Sequence, residues 1–431
     1  MKSHPLGLVA RYELFEKGKL VDSHENRMPE STTEVQLTIK NPGQPTQVLR
    51  FPFRSYMANF CRVLNNAFLA VDDSTGGTAN DKLIKAITGG ATYAAAAIHT
   101  MAVNEGALSS PTQSAYGIWI GDPDNQSGLG LTPEANIGGN PNYNDYMLRC
   151  LLPADGGSPD TNITYLATNV TLSNADATLT VSRRFQNTSA TVDMKIGEIG
   201  LVGKSGTDYF LIARDKVGVN TPIPANQGGG QGEQTYTPYY TLAAGGTCEV
   251  DYIFALPANS GWTKNYNRML SSLFNASNAL SQVIDYTNAA QTINFSTART
   301  QMDLLAAVNI DTYGILVTSG GYDNIYTLDM TYLYNNKTAN GTGINNLNYS
   351  AVTPIALTTT NNITQFGLYR DFEYLYTTGS NLVSASGLVI RQGVSPYTYY
   401  LICWDAFAIN PFTIKPNQVL RVSYLFQAPL S

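Results

Sequence analysis

Side chains able to do chemistry are few in this sequence and poorly spaced for it. The three histidines, His4, His24 and His99, include no two at metal-ligand spacing. The four cysteines, Cys61, Cys150, Cys248 and Cys403, form no CxxC and sit inside apolar runs. That predicts buried free thiols instead of a disulfide framework or a zinc site. No Walker loop, strand-following GxGxxG, GxSxG elbow or HExxH is present. Gly228 to Gly232 (GGGQG) has no following Lys-Ser/Thr, so a flexible connector is expected there, not a phosphate cradle. Asp122, Asp124, Gln126 and Gly128 resemble a calcium loop, but Gly128 comes one place late and the acidic Glu134 is late too. An Asx-rich turn is the expectation. A carboxylate pair for glycoside hydrolysis needs no sequence motif, because its members meet only in space.

Composition narrows the class. Charged residues make up 13%, against the roughly one quarter usual in soluble domains, and Asn, Thr, Gly and Tyr take their place. With 27 Tyr and 15 Phe the chain is too aromatic for disorder and suits a large assembly. A net charge of −6 gives no broad attraction to nucleic acid or to acidic membranes, so neither is an expected partner. The opening MKSHPLGLVARYELF has no long apolar segment, and the longest apolar candidate, ATYAAAAIHTMAV, is too short to span a bilayer. Synthesis and folding as a soluble protein are expected. The triplets at Asn162, Asn169 and Asn362 match the glycosylation pattern by chance in so Asn- and Thr-rich a chain.

The elements that would position any site are organised around Tyr56 to Phe68 (YMANFCRVLNNAF). Its apolar residues Tyr56, Phe60, Val63, Leu64, Ala67 and Phe68 fall on one side of a helix, with Asn59, Arg62 and Asn66 on the other. Trp262 to Phe274 (WTKNYNRMLSSLF) repeats it, with Asn59 matching Asn265, Arg62 matching Arg268, Leu64 matching Leu270 and Phe68 matching Phe274. The Asn and Arg matches lie off the apolar stripe, so shared packing does not account for them; an internal duplication does.

The matches continue in order. Thr33 to Ile39 answers Thr247 to Phe254 ahead of each helix, and Tyr116-Gly117-Ile118 answers Tyr313-Gly314-Ile315. Then come Asp145 and Asp329, Tyr165 and Tyr349, and Arg183 and Phe185 with Arg370 and Phe372. Gly200-Leu201-Val202 answers Gly387-Leu388-Val389, Tyr209 to Asp215 answers Tyr399 to Asp405, and Val250 to Phe254 answers Val422 to Phe426. Glu198 is answered by Ser386 and Arg214 by Trp404, whereas Asp215 is kept as Asp405. Such a retained set looks like packing, and an Asp closing a strand commonly caps a turn.

The expected fold is all-β dominated: two tandem β-sandwich or jelly-roll-like modules, each with an amphipathic helix. Residues 1–32 form an N-terminal arm or hairpin with a turn at Lys17-Gly18-Lys19, reaching a neighbouring subunit or lying on the edge of the first module. Residues 33–246 form the first module with its helix over 54–70, and residues 247–431 the second with its helix over 262–275. Ala177 to Phe185 and Ala190 to Ile196 alternate about Gln186 to Ser189, a natural hairpin turn.

Taken together, Asn59-Phe60, Tyr116 to Gly121, Asp145 to Leu148, Arg183 to Asn187, Glu198 to Leu201 and Leu211 to Asp215 resemble a module of structural proteins of tailed bacteriophages. The second copy, with Ser386 and Trp404, departs from that pattern. The resemblance implies a non-enzymatic virion component without cofactor or metal. Such a component assembles with itself and with other virion proteins into a ring or oligomer at the tail, collar or capsid. A capsid shell protein with tandem jelly rolls is the first rival. A glycan-binding or glycan-cleaving receptor protein, suggested by the abundant Tyr and the Trp residues, is the second.

Overall fold

The computed structural model describes residues 7–28, 32–52, 58–69, 82–84, 92–94, 102–107, 116–121, 154–155, 158–159, 163–173, 175–205, 208–217, 239–257, 261–275, 280–284, 290–294, 302–308, 312–318, 347–360, 363–392, 397–406 and 411–429. The chain opens with strands β1 (Gly7–Glu16), β2 (Lys19–Met28), β3 (Thr32–Lys40) and β4 (Gln47–Pro52), then helix α1 (Ala58–Leu69). Short strands β5 (Lys82–Ile84) and β6 (Thr92–Ala94) precede β7 (Gly117–Gly121), β8 (Ala154–Asp155) and β9 (Ser158–Pro159). Next come β10 (Ile163–Tyr165), β11 (Asn169–Leu172), β12 (Leu179–Asn187), β13 (Met194–Ile196), β14 (Glu198–Ser205) and β15 (Asp208–Lys216). Strands β16 (Tyr240–Leu242) and β17 (Thr247–Ala255) lead to helix α2 (Lys264–Phe274). The rest holds β18 (Leu280–Ile284), β19 (Ala290–Asn294), β20 (Met302–Asp303), β21 (Gly314–Thr318), β22 (Leu347–Tyr349), β23 (Thr353–Thr360) and β24 (Ile363–Tyr374). It closes with β25 (Asn381–Val383), β26 (Ala385–Gln392), β27 (Thr398–Ala406), β28 (Phe412–Ile414) and β29 (Gln418–Pro429).

The fold is dominated by antiparallel sheets, as the alternating runs predict. Two six-stranded sheets carry most of the core. The first runs β10-β12-β17-β3-β4, with β11 beside β12; the second runs β22-β24-β29-β1-β2, with β23 beside β24. Alternation sets which face is buried. In β17 every second residue, Cys248, Val250, Tyr252 and Phe254, is buried while its neighbours are half-exposed. Two smaller sheets, β15-β14-β7 and β20-β26-β21 with β27 beside β26, complete the frame.

The N-terminal hairpin turns at Lys17-Gly18, both at positive φ (51° and 76°), as a two-residue hairpin loop requires. It does not lie on the edge of the first module: β1 pairs along its whole length with β29 near the C-terminus, Gly7 opposite Gln427 through Glu16 opposite Gln418. Strand 247–255, expected to open the second module, instead lies between β12 and β3.

Two further expectations change. The hairpin about Gln186 to Ser189 does not form, because β12 pairs with β10, β11 and β17 while β13 pairs with β16. The cause is Asn187, fully buried, whose side-chain amide donates to the carbonyls of Val192, Leu242 and Ala243 at 2.8, 3.1 and 3.2 Å. It ties the turn to β16 and steers the chain out of the sheet. The helix expected over 54–70 is α1 at Ala58–Leu69, residues 53–57 and 70 lying outside the described set, and the second helix spans Lys264–Phe274. Helix α2 is also buried on every side from Asn265 to Phe274, not on one face alone.

Both Tyr-Gly-Ile motifs open a strand for the same reason. Gly117 and Gly314 sit at φ 84° and 85°, and a Cβ on either would lie 2.8 Å from a backbone carbonyl oxygen, that of Val103 or of Leu304. Only glycine fits.

Candidate functional site

The polar side chains that the sequence singles out gather in buried clusters. Arg183 on β12 is 1% exposed. Its Nε donates to the Leu166 carbonyl at 2.8 Å, and its Nη1 to the carbonyls of Tyr116 and Ile118 at 2.9 and 3.1 Å. Its Nη2 donates to Glu105 Oε2 at 3.2 Å and the Gly106 carbonyl at 3.3 Å, and the guanidinium lies 5.0 Å from the centre of the Tyr165 ring. All its donors are therefore used within the fold. Burial depresses Arg183 below its usual range against the pull of Glu105, and burial raises Glu105 against the pull of Arg183. Burial thus works against charge on both partners, while their mutual attraction works for it.

Arg370 on β24 repeats the arrangement. It is fully buried and donates to the carbonyls of Ser350, Ile315 and Ala307 at 2.9, 3.1 and 3.2 Å, with its guanidinium 5.1 Å from the centre of the Tyr349 ring. Tyr165 meets Phe185 edge-on at 4.9 Å, and Tyr349 meets Phe372 edge-on at 5.6 Å. The Thr168 amide donates to the Glu105 carbonyl at 2.7 Å, and the Val352 amide to that of Ala306 at 2.8 Å, so the position answering Glu105 holds alanine.

A second cluster joins the two ends of the chain. Tyr12 donates to Asp405 Oδ2 at 2.6 Å and lies 2.8 Å from Ser386 Oγ, which in turn lies 2.7 Å from the Tyr424 hydroxyl. Asn26 donates to Asp405 Oδ1 at 2.6 Å. Burial, with the neighbouring Tyr424 and Asp405, raises Tyr12 well above the usual tyrosine range. Asp405 therefore does not cap a turn; it sits inside β27, 1% exposed. Asp215 likewise lies within β15, 4% exposed, opposite Ile199.

Register also corrects one correspondence. Gly200 stands opposite Arg214 and Gly387 opposite Trp404, and both ladders slip one residue later, between Leu201 and Val202 and between Leu388 and Val389. Ser386 therefore answers Ile199, and Glu198 answers Ala385. Tyr12, Asn26 and Glu105 carry no sequence signal of their own, since each acts on a residue far away in the chain. Tyr424 had one, as the tyrosine shared by VDYIF and VSYLF.

The Ser386, Tyr12, Tyr424 and Asp405 chain has the residue types of an acid–base relay, but all four are at most 1% exposed. The groove lined by Phe15, Lys17, Gly18, Asp371, Asn417, Val419 and Arg421 is open, with a volume of about 460 Å³. Two of its charges are paired, since Arg421 holds Asp371 through two bonds of 2.8 and 2.9 Å, and Lys17 stands at its edge. Among the described residues no group of three or more His, Cys, Asp or Glu side chains is placed to hold a metal ion. His24 is exposed on β2 with its ring 6.1 Å from that of Tyr12. Cys61, Cys248 and Cys403 are buried free thiols. His4, His99, Cys150, Asp122, Asp124, Gln126, Gly128, Glu134, Asp145, Asp329, Asn162, Asn362 and the Gly228 to Gly232 stretch lie outside the described residues. Among the described residues no helix is long and apolar enough to cross a membrane. No family model, curated protein or solved structure gives a significant match to this chain.

Proposed function

We propose that this protein is a non-enzymatic structural component of a bacteriophage-like virion, made in the host cytoplasm. It consists of two related β-rich halves and assembles with itself into a ring or closed oligomer at the tail, collar or capsid. The observation that carries this reading is the use of the paired residues. Arg183 and Arg370 spend their donors chiefly on backbone carbonyls, and Asp405 accepts from the buried Tyr12 and the half-buried Asn26, with both arginines and Asp405 itself at most 1% exposed. What the halves share is architecture, and a chain kept for architecture is a building block. Two related halves per chain also give n subunits 2n similar contacts, so a ring can meet a partner of doubled symmetry. A low charge content suits surfaces that are covered in an assembly.

The glycan-binding reading draws on the exposed rings of Tyr376 and Tyr397, 55% and 42% accessible. Light scattering on the purified protein with negative-stain imaging separates the two. Closed particles of one symmetry support the structural component. A monomer at high concentration that binds a glycan array through Tyr376 or Tyr397 overturns it.

A further inference from the structure

The two large sheets have the same strand order but are not each built from one stretch of chain. Beyond α1, the strands β10, β11, β12 and β17 belong to the first sheet; beyond α2, the strands β22, β23, β24 and β29 belong to the second. The segment ahead of both helices supplies one hairpin to each, β3-β4 beside β17 and β1-β2 beside β29.

The helices cross over. Helix α1 precedes the strands of the first sheet, yet it packs on the second. Phe68 lies 6.2 Å from Phe366 and 5.2 Å from Phe426, ring centre to ring centre, and its carbonyl accepts from the Leu304 amide at 3.1 Å. Helix α2 precedes the strands of the second sheet, yet it packs on the first. Phe274 lies 5.6 Å from Phe254, its carbonyl accepts from the Val103 amide at 2.8 Å, and Asn267 donates to the carbonyls of Ala177 and Phe254. Each helix also keeps contacts with its own half, α1 with β5 and β15 and α2 with β18 and β27. The contact of α2 with β27 is fastened by Thr263 and Asn265, which both donate to the Leu401 carbonyl, at 2.6 and 3.1 Å.

Contacts that pair i with j and j with i are the signature of a two-fold, isologous interface. We infer that the chain is a fused dimer: two half-chains that exchange helices across an approximate two-fold relation, neither holding a complete core. The partner that fits the apolar inner face of each large sheet is the helix of the opposite half. This inference stands on the pairing and does not rest on a virion role. It also replaces the picture of two modules strung in series, because a cut between the halves leaves each large sheet without its helix.

Hydrogen exchange read by mass spectrometry on the full chain tests it. Phe274→Ala removes a side chain of the second half. Exchange should quicken by about tenfold or more in 169–187 and 247–255 of the first sheet, ahead of 353–374. Phe68→Ala should do the converse, loosening 353–374 and 418–429. Loss of protection confined to the variant helix's own half overturns the inference; equal loss throughout supports it, as a single cooperative unit would give. Should either variant fail to fold, a protease site placed within Gly228 to Gly232 decides. A nicked chain that stays one particle and melts in one transition supports the exchange, whereas two separately folded pieces sink it.

Discussion

Arg183 and Arg370 hold the same station in the two large sheets: each stacks on a tyrosine, at 5.0 and 5.1 Å, and each donates to the isoleucine carbonyl of a Tyr-Gly-Ile strand, at 3.1 Å. A guanidinium suits this station because its planar fork reaches several carbonyls that would otherwise be buried without donors. Replacing Arg370 with Ala orphans three buried carbonyls and should cost about 3 kcal/mol, and Lys should rescue little, since an ammonium cannot span the same acceptors. Chemical denaturation of the two variants checks this. A loss below about 1 kcal/mol for Arg370→Ala would show that the carbonyls find other donors.

Gly117 and Gly314 should respond alike to Ala. Positive φ alone costs about 1–2 kcal/mol, and the carbonyls of Val103 and Leu304 at 2.8 Å add a clash that backbone must absorb. Gly43, at φ 70° with nothing within 4 Å, is the control and should lose only the conformational part. Thermal melts of the three variants should therefore rank Gly43→Ala as the mildest. Equal losses at all three positions would remove the close-packing argument.

Asp251, on the outward face of β17 beside Glu249, has its carboxyl pushed up to about 6, first by burial and then by the Glu249 charge, with Gln36 opposing. A carboxyl raised in the folded state favours folding while protonated. Its contribution is present below the ordinary Asp range and is lost as pH rises through about 6. Allowing for its half-exposed position, that loss is about 1 kcal/mol. Stability of the native chain relative to Asp251→Asn should thus fall between about pH 4 and pH 7, and a flat difference across that window would contradict it.

Tyr12, Tyr400 and Tyr424 are fully buried, and burial raises all three well above the ordinary value of 10.0. Their neutral forms favour the fold, so the stability they contribute is intact below that value and is lost as pH rises through and beyond it. Ultraviolet absorbance should show these tyrosines ionising late and together with loss of β-sheet circular dichroism. Ionisation of the full tyrosine complement with the sheets intact would show that solvent reaches the cluster.

Much of this architecture was legible in the residues themselves. Alternation in Thr247 to Phe254 fixed which side chains turn inward, whereas the off-stripe Asn265 pointed only to an internal duplication, and its bond to the Leu401 carbonyl came with the fold. The order of matched motifs likewise pointed to two sheets with one strand order. Position along the chain misled where contacts are distant. Sequence order sets Glu198 against Ser386, where the ladders place Ile199, and a strand-closing position suggests a turn role for Asp405, on which Tyr12 and Asn26 instead converge.

The sequence by itself determined the inward and outward faces, the helices and the correspondence between halves, because these follow from periods of two and 3.6 residues within a short stretch. Only the tertiary structure decided that β1 joins β29, that β17 stays with β12, and that each helix covers the opposite half's sheet. The physical reason is that ladder hydrogen bonds are made by backbone groups every residue carries, and an apolar helix face fits any apolar sheet. Strand and helix partners are therefore chosen by chain connectivity and by the closing of a whole core, which no local pattern encodes.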